Sequence, residues 1–314
     1  MSPSSRSSRS AALSDHAPPG SRLDLREAWA DLLHRRPRFT EALAIHGKTI
    51  EAWAAWEPSR PVAPAMTAEA CRSSWEAGTP LSGELVRALR SEDVEDLVGE
   101  AMESLARLDP RLGPALQRLA GAWDEGTVTA AALLPTRGRI GSGVAEQVSG
   151  LGADAIAFLA VAALRPALEA IRAPMRQSQV AVGWELGICP FCGGPPGFTD
   201  VVEDGRRRLA CHLCGSAWIF AKLRCPFCGV DGAQHLVRLT PEEAREEGYA
   251  ISACRQCRAY VKEIDRRTRW NGGPPIVEDW GSPHFDVIAR RHGYWRPDPP
   301  IVVTTGESPG DAGR

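Results

Sequence analysis

Apolar residues recur at near-helical spacing through the first half of the chain and lose that spacing near Gln179. Leu23, Ala30 and Leu33 mark an apolar face with a period of about 3.6, which Pro37 interrupts. Phe39, Leu43, Ile50, Trp53 and Trp56 continue the pattern to Pro58, and Thr67 is placed to cap a helix through Trp75. One long pattern runs from Ser82 to Asp109 through Leu85, Leu89, Val94, Leu97, Met102 and Leu105, and another covers Leu112 to Trp123. The strongest stripe spans Asp154 to Arg172, with Ile156, Leu159, Ala160, Ala163, Leu164 and Leu168 on one face. Asp154 in its first turn and Arg172 in its last complement the helix dipole. Pro166 within it predicts a kink or a restart. Six or seven helices and no good strand predict a helical bundle up to about Gln177.

After Gln179 the β-prone pieces are short: Gly197–Val202, Arg207–Ala210, Ala217–Leu223, Ala233–Leu239, Tyr249–Ala253 and Ala259–Ile264. None is long enough to bury a core alone, and a metal is what normally stabilises such modules. His284 to His292 predict one final helix. The expected division is a disordered, Ser/Pro/Arg-rich segment over 1–20, a helical domain over 21–180, metal modules over 181–222 and 223–270, and a C-terminal segment over 271–314. That last segment holds the short helix and a tail that frays after Pro299. The length of 314 residues, above the roughly 250–300 at which single cores stop growing, agrees with several domains.

Composition narrows the function. Hydrophobic residues make up 43% and charged residues 24%, as in an ordinary globular protein. With 37 basic and 39 acidic side chains the net charge is −2, so the basic footprint of a nucleic-acid binder is missing and no nucleic-acid partner is expected. The longest apolar run, Ala155 to Leu164, is too short to span a bilayer, which needs roughly 20 residues. The N-terminus leads into no apolar secretion signal, so a cytoplasmic location without membrane insertion is expected. No Ser/His/Asp triad or paired-carboxylate site stands out, and the chain reads as a non-enzyme.

The chemistry lies in the cysteines. Eight of nine form four C-x-x-C pairs: Cys189-Pro-Phe-Cys192-Gly, Cys211-His-Leu-Cys214-Gly, Cys225-Pro-Phe-Cys228-Gly and Cys254-Arg-Gln-Cys257-Arg. Two cysteines three apart can face one ion when the backbone turns tightly. The glycine after the second cysteine permits the positive φ that such a turn uses. Two knuckles complete a tetrahedral sulfur site, and C-x2-C-x18-C-x2-C over the first two pairs is a zinc-ribbon spacing. The third and fourth pairs repeat it with a longer loop. Short loops favour first with second, while interleaved pairing stays open. The chain is therefore expected to hold two metal ions, iron or zinc, since tetrahedral S4 sites take either. A thioredoxin-like redox couple needs a βαβ context that no pair has.

Other residues give weaker signals. Arg206–Arg208, Arg224, Arg255 and Arg258 could offset the formal −2 of a divalent S4 site, but read more simply as a solvated face. His212 is either a spare ligand or, more simply, an exposed turn residue. Cys71 and the tryptophans at 29, 53, 56, 75 and 123 read as core. Gly141-Ser-Gly143 reads as a helix start rather than a dinucleotide loop. Phe191, Phe227 and Trp218 would be rigidly displayed by the knuckles as anchors for a partner, or would cover their own metal sites.

Taken together, Gly150-Leu-Gly-Ala-Asp-Ala-Ile-Ala-Phe-Leu, Leu164-Arg-Pro-Ala-Leu168, Cys189-Pro-Phe-Cys-Gly-Gly-Pro-Pro196 and Leu209-Ala-Cys-His-Leu-Cys-Gly-Ser-Ala-Trp218 resemble the FdhE family, the formate dehydrogenase accessory proteins. Arg224-Cys-Pro-Phe-Cys-Gly229 and Cys254-Arg-Gln-Cys-Arg-Ala-Tyr-Val-Lys262 with Asp265 extend the resemblance, which covers about Leu151 to Trp295. It implies a fold of the α+β class, mostly α: an N-terminal helical bundle followed by two tandem rubredoxin-like, zinc-ribbon modules. The implied ligands are Cys189, Cys192, Cys211 and Cys214 in one module, and Cys225, Cys228, Cys254 and Cys257 in the other. The implied role is maturation of respiratory formate dehydrogenase by binding its catalytic subunit in the cytoplasm before export. Two departures stand out. Arg258 replaces the family's glycine after the last cysteine, which requires strained φ or another turn, and the acidic pair Glu278-Asp279 matches the family's end only loosely. The alternatives from the cysteine pattern alone are a zinc-ribbon nucleic-acid or transcription protein and a rubredoxin-like electron carrier.

Overall fold

The computed structural model describes residues 22–58, 66–135, 140, 143–175 and 183–297. The disordered segment expected over 1–20, the tail after Pro299 and most of the Gly141-Ser-Gly143 turn lie outside them. Eight helices come first: α1 Arg22–Arg35, α2 Ala44–Ala55, α3 Ala68–Glu76, α4 Ser82–Ala88, α5 Glu95–Leu108, α6 Gly113–Asp124, α7 Val144–Ser149 and α8 Ala153–Arg172. Six strands follow: β1 Phe198–Val201, β2 Arg207–Ala210, β3 Ala217–Phe220, β4 Leu236–Leu239, β5 Tyr249–Cys254 and β6 Tyr260–Asp265. Two short helices, α9 Pro275–Trp280 and α10 Pro283–Arg291, close the described chain. The mixed, helix-first class expected from the pattern is what the structure has.

Several helix ends follow from local chemistry. Thr67 caps α3 as expected, its hydroxyl accepting from the Ala70 amide at 3.2 Å. The long pattern from Ser82 to Asp109 is two helices. Leu89 turns extended, and a second helix opens with Glu95 and Asp96 in its first turn, where the dipole favours them. The break is held from outside, because the Ser91 hydroxyl accepts from the Ala130 amide.

Pro166 does not restart α8, which runs as one helix through it. A proline has no amide hydrogen, so the carbonyl of Ala162 loses its partner one turn back. The indole Nε1 of Trp53 donates to that carbonyl at 2.7 Å, inside the core. A residue on α2 thus supplies the hydrogen bond that α8 cannot make for itself.

All six β-prone pieces contain strands, and they form one sheet ordered β3-β2-β1-β6-β5-β4. Each set of three strands is antiparallel inside, while β1 and β6 pair in parallel at the centre, with Phe198 opposite Lys262 and Val201 opposite Asp265. In each set one cysteine pair precedes the first strand and the other lies around the turn between the second and third. The helices and the first set's cysteines share a single apolar core, whereas Tyr249, Ile251, Tyr260, Ile264 and Phe285 form a second, smaller one.

Changing Trp53 to Phe keeps a ring in the core and removes the donor to Ala162. The expected loss is about 1–3 kcal/mol, the cost of an unpaired buried carbonyl. Urea unfolding of Trp53→Phe against wild type measures it, and equal midpoints would mean that the proline gap is filled in another way.

Candidate metal centres

The four knuckles have one backbone geometry. In each, the amide four residues after the first cysteine donates to that cysteine's carbonyl: Gly193 to Cys189, Gly215 to Cys211, Gly229 to Cys225 and Arg258 to Cys254, at 2.9 to 3.1 Å. The first cysteine's own amide donates to the carbonyl five residues on, at Gly194, Ser216, Val230 and Ala259. The turn needs positive φ at its fourth step, and Gly193, Gly215 and Gly229 supply it at 71°, 68° and 74°. Arg258 takes the same conformation at 62°, alone among described non-glycine residues. Its side chain offsets that strain: Nη2 donates to the His292 carbonyl at 2.7 Å, Nε to Gly293, and the guanidinium lies 4.2 Å from the centre of the Tyr294 ring.

These turns bring the cysteines together first pair with second and third with fourth. Within Cys189, Cys192, Cys211 and Cys214, and within Cys225, Cys228, Cys254 and Cys257, all sulfurs lie within 4.8 Å of one another. Cys189 Sγ is 3.4 Å from Cys214, Cys192 is 3.4 Å from Cys211, Cys225 is 3.7 Å from Cys257, and Cys228 is 3.8 Å from Cys254. A tetrahedral ion with bonds of about 2.3 Å separates its sulfurs by roughly 3.8 Å, so both clusters fit one.

Their electrostatics fit a cation as well. Burial pushes the Cys192 thiol well up, and hydrogen bonding with its neighbouring thiols holds Cys211 well up. Burial also acts to raise Cys214, but donation from the other three thiols and the nearby Arg172 bring it well below its ordinary value. In the second cluster burial moves Cys225 up to about 11, against the amides of Cys228 and Phe227 that donate to its sulfur. Thiols so arranged do not ionise together without a positive ion among them.

The first cluster is enclosed by the helical domain. Arg172 donates from Nε to the Cys214 carbonyl at 2.9 Å, and Arg165 from Nη1 to the His212 carbonyl at 2.5 Å. Trp75 and the Leu81 amide both donate to the Pro190 carbonyl. Positive groups beside this cluster thus come from α8. Among the arginines near the knuckles in sequence, Arg207 is not on a solvated face: it is buried and donates to the Arg224 carbonyl at 3.2 Å.

His212 is neither exposed nor placed to bind an ion. It is buried, and its Nε2 donates to Asp279 at 2.9 Å, leaving Nδ1 without a partner. Asp279 belongs to a buried group of four charges that pattern reading missed. Lys262 Nζ is 3.0 Å from Asp279 and 2.7 Å from Asp286, and Arg296 Nη1 is 2.9 Å from Asp279 and 3.2 Å from Asp286. Burial works to raise Asp279, but Arg296, Lys262 and the His212 bond outweigh it and hold it well below the usual carboxylate range. Tyr260 donates to Asp286, and Arg296 also donates to the Gly197 carbonyl. The neighbouring Glu278 is fully buried and accepts from Tyr249, Arg35 and the Gly273 amide.

Phe191 and Trp218 are not displayed for a partner. Phe191 packs edge-on to Trp75 with ring centres 5.2 Å apart, and Trp218 is buried with its indole donating to the Leu186 carbonyl. Phe227 is half-buried. Cys71, Trp29, Trp53 and Trp75 are core, while Trp56 and Trp123 are half-buried against it.

Fold and site together define a mixed α and β protein, about half helical among its described residues, that carries on one sheet two four-cysteine clusters able to hold a metal ion. No protein-family model matches the chain. Its sequence is similar to the FdhE homologue of Aquifex aeolicus, 25% identical over 46% of this chain and 51% of that protein. The FdhE homologue of Pseudomonas aeruginosa is 27% identical over 38% of this chain and 40% of its own length, and that of Shewanella oneidensis is 32% identical over 33% and 30%. The chain thus spans between about a third and about half of the length of these curated relatives. Its fold is similar to the crystal structure of the FdhE protein from Pseudomonas aeruginosa, with a TM-score of 0.59 and 22% identity over 92% of this chain and 98% of that one. The sequence matches cover part of the chain, and the crystal structure shares its fold.

Two outcomes follow from this geometry. At position 258 glycine should be more stable than alanine by about 1 kcal/mol, since both lose the arginine's contacts but only alanine keeps the strain. Thermal unfolding of Arg258→Gly and Arg258→Ala compares them directly, and the opposite order would contradict the positive φ. Lys262→Met leaves two buried carboxylates facing one guanidinium and should cost about 3–5 kcal/mol, read from denaturant unfolding. A change below about 1 kcal/mol would mean that the charges are not dehydrated together.

Proposed function

We propose that this protein is a maturation factor for a respiratory formate dehydrogenase. In this reading it binds the catalytic subunit in the cytoplasm before export, and its eight clustered cysteines hold two ions, iron or zinc. The observation that carries the reading is the pair of four-cysteine clusters in knuckle geometry, in a chain similar in sequence and fold to FdhE proteins. The helical domain over 21–180 and the modules over 181–222 and 223–270 would act as one unit, because the first cluster shares the helical core and the modules share a sheet. Among the described residues no helix is long and apolar enough to cross a membrane.

The knuckle hairpin beside the second cluster offers the contact. Leu223 is 54% exposed there and Phe227 is half-buried. Co-purification with the catalytic subunit lacking its cofactors tests the reading. Wild type should retain the subunit, and a Leu223→Ala, Phe227→Ala double variant that keeps both ions should retain several-fold less. Loss in the variant alone puts the contact on this hairpin, and no retention by wild type removes the proposed function.

A further inference from the structure

The two clusters have the same ligand set and the same turns but opposite surroundings. Cys189, Cys192, Cys211 and Cys214 are 0%, 0%, 2% and 0% exposed. In the second cluster Cys225 and Cys254 are buried, Cys257 is half-buried and Cys228 is exposed. The glycines of the turns report the same difference independently. A Cβ on Gly215 would strike the Glu169 carboxylate and crowd Arg165, and one on Gly193 would touch Pro80. A Cβ on Gly229, next to Cys228, would meet nothing within 4 Å.

The opening is confined to one side. The fourth knuckle is overlaid by the turn after α10, through Arg258 to the carbonyls of His292 and Gly293 and through the Trp295 indole to the Cys257 carbonyl. The third knuckle is fixed at Pro226, whose carbonyl lies so close to Gly187 that no side chain fits there. Cys228 and Gly229 remain uncovered between these two contacts.

We propose that the second cluster is the exchangeable site and the first is locked, with Cys228 the ligand at which exchange begins. This inference rests on the reading that both clusters hold ions. The reaction is ligand substitution. A small thiol or chelating donor approaches at Cys228, its sulfur or nitrogen bonds to the ion, and the bond from the ion to Cys228 Sγ breaks. The ion keeps four donors and its oxidation state, and the proton released by an incoming thiol ends on Cys228. At the first cluster the same attack has no path, because α8 and the residues around Pro80 and Pro190 cover the sulfurs.

The experiment uses the full-length zinc-loaded protein and the chromogenic chelator 4-(2-pyridylazo)resorcinol. One equivalent should leave at least about tenfold faster than the other, as expected when thiolate access governs reactivity. Iodoacetamide added during the fast phase, followed by peptide mass spectrometry, should find Cys228 and Cys257 modified and Cys189, Cys192, Cys211 and Cys214 protected. Cys228→Ser should lose the slow-fast distinction by losing the fast equivalent, while the alkylation pattern of wild type tests the proposal without any variant. Two ions leaving at one rate, or alkylation of the first cluster in the fast phase, would overturn the inference and leave the proposed function standing. A protein that takes up no zinc or iron at all would overturn both.

Discussion

The arrangement of the C-terminal half depends on four dehydrated charges, Lys262, Arg296, Asp279 and Asp286. Each ion taken from water costs several kcal/mol, and mutual attraction repays this only when every donor and acceptor is used. Here they are used: Lys262 also reaches the carbonyls of Asp279 and Ser282, and Arg296 reaches Gly197. The partners come from β6, from α9 and α10, from the start of β1 and, through His212, from the second knuckle. Such a group contributes little net stability compared with apolar packing. Its contacts tie together the pieces that supply it, and removing one charge leaves the others buried with one partner fewer.

These contacts explain how differently the parts of the fold could be read from the sequence. The cysteine pairing was legible because C-x-x-C-Gly carries its own backbone geometry, and the six strands were legible because each sits beside a knuckle. The fully buried α9 was not, since all six of its residues face protein and leave no polar face to reveal a period. His212, Asp279 and Lys262 could not be connected by spacing, because their contact exists only after β1 and β6 have paired. Arg165 and Arg172 looked like ordinary helix polarity, yet they reach the second knuckle's carbonyls.

Pro166 teaches a related point. Read along the chain, it is a breaker, and the expected kink follows from its missing amide. The helix continues through it, and the donor to the carbonyl left over comes from Trp53, more than a hundred positions earlier in the sequence. Local rules identify where a backbone group is left over. Only the fold identifies which side chain takes it.

The parallel seam between β1 and β6 also sets an order of assembly on the ribosome. β1, β2 and β3 can associate, with the first two knuckles, as soon as Phe220 has emerged, because all their pairings are between neighbours. The inner edge of β1 then waits as an unpaired strand until Tyr260–Asp265 is synthesised, and such an edge is a template for pairing with other chains. Non-local strand pairing is slow because the intervening loop must close first. Between Phe220 and Tyr260 a nascent chain therefore carries an open strand edge, and bringing the seam strands closer together in sequence would shorten that interval.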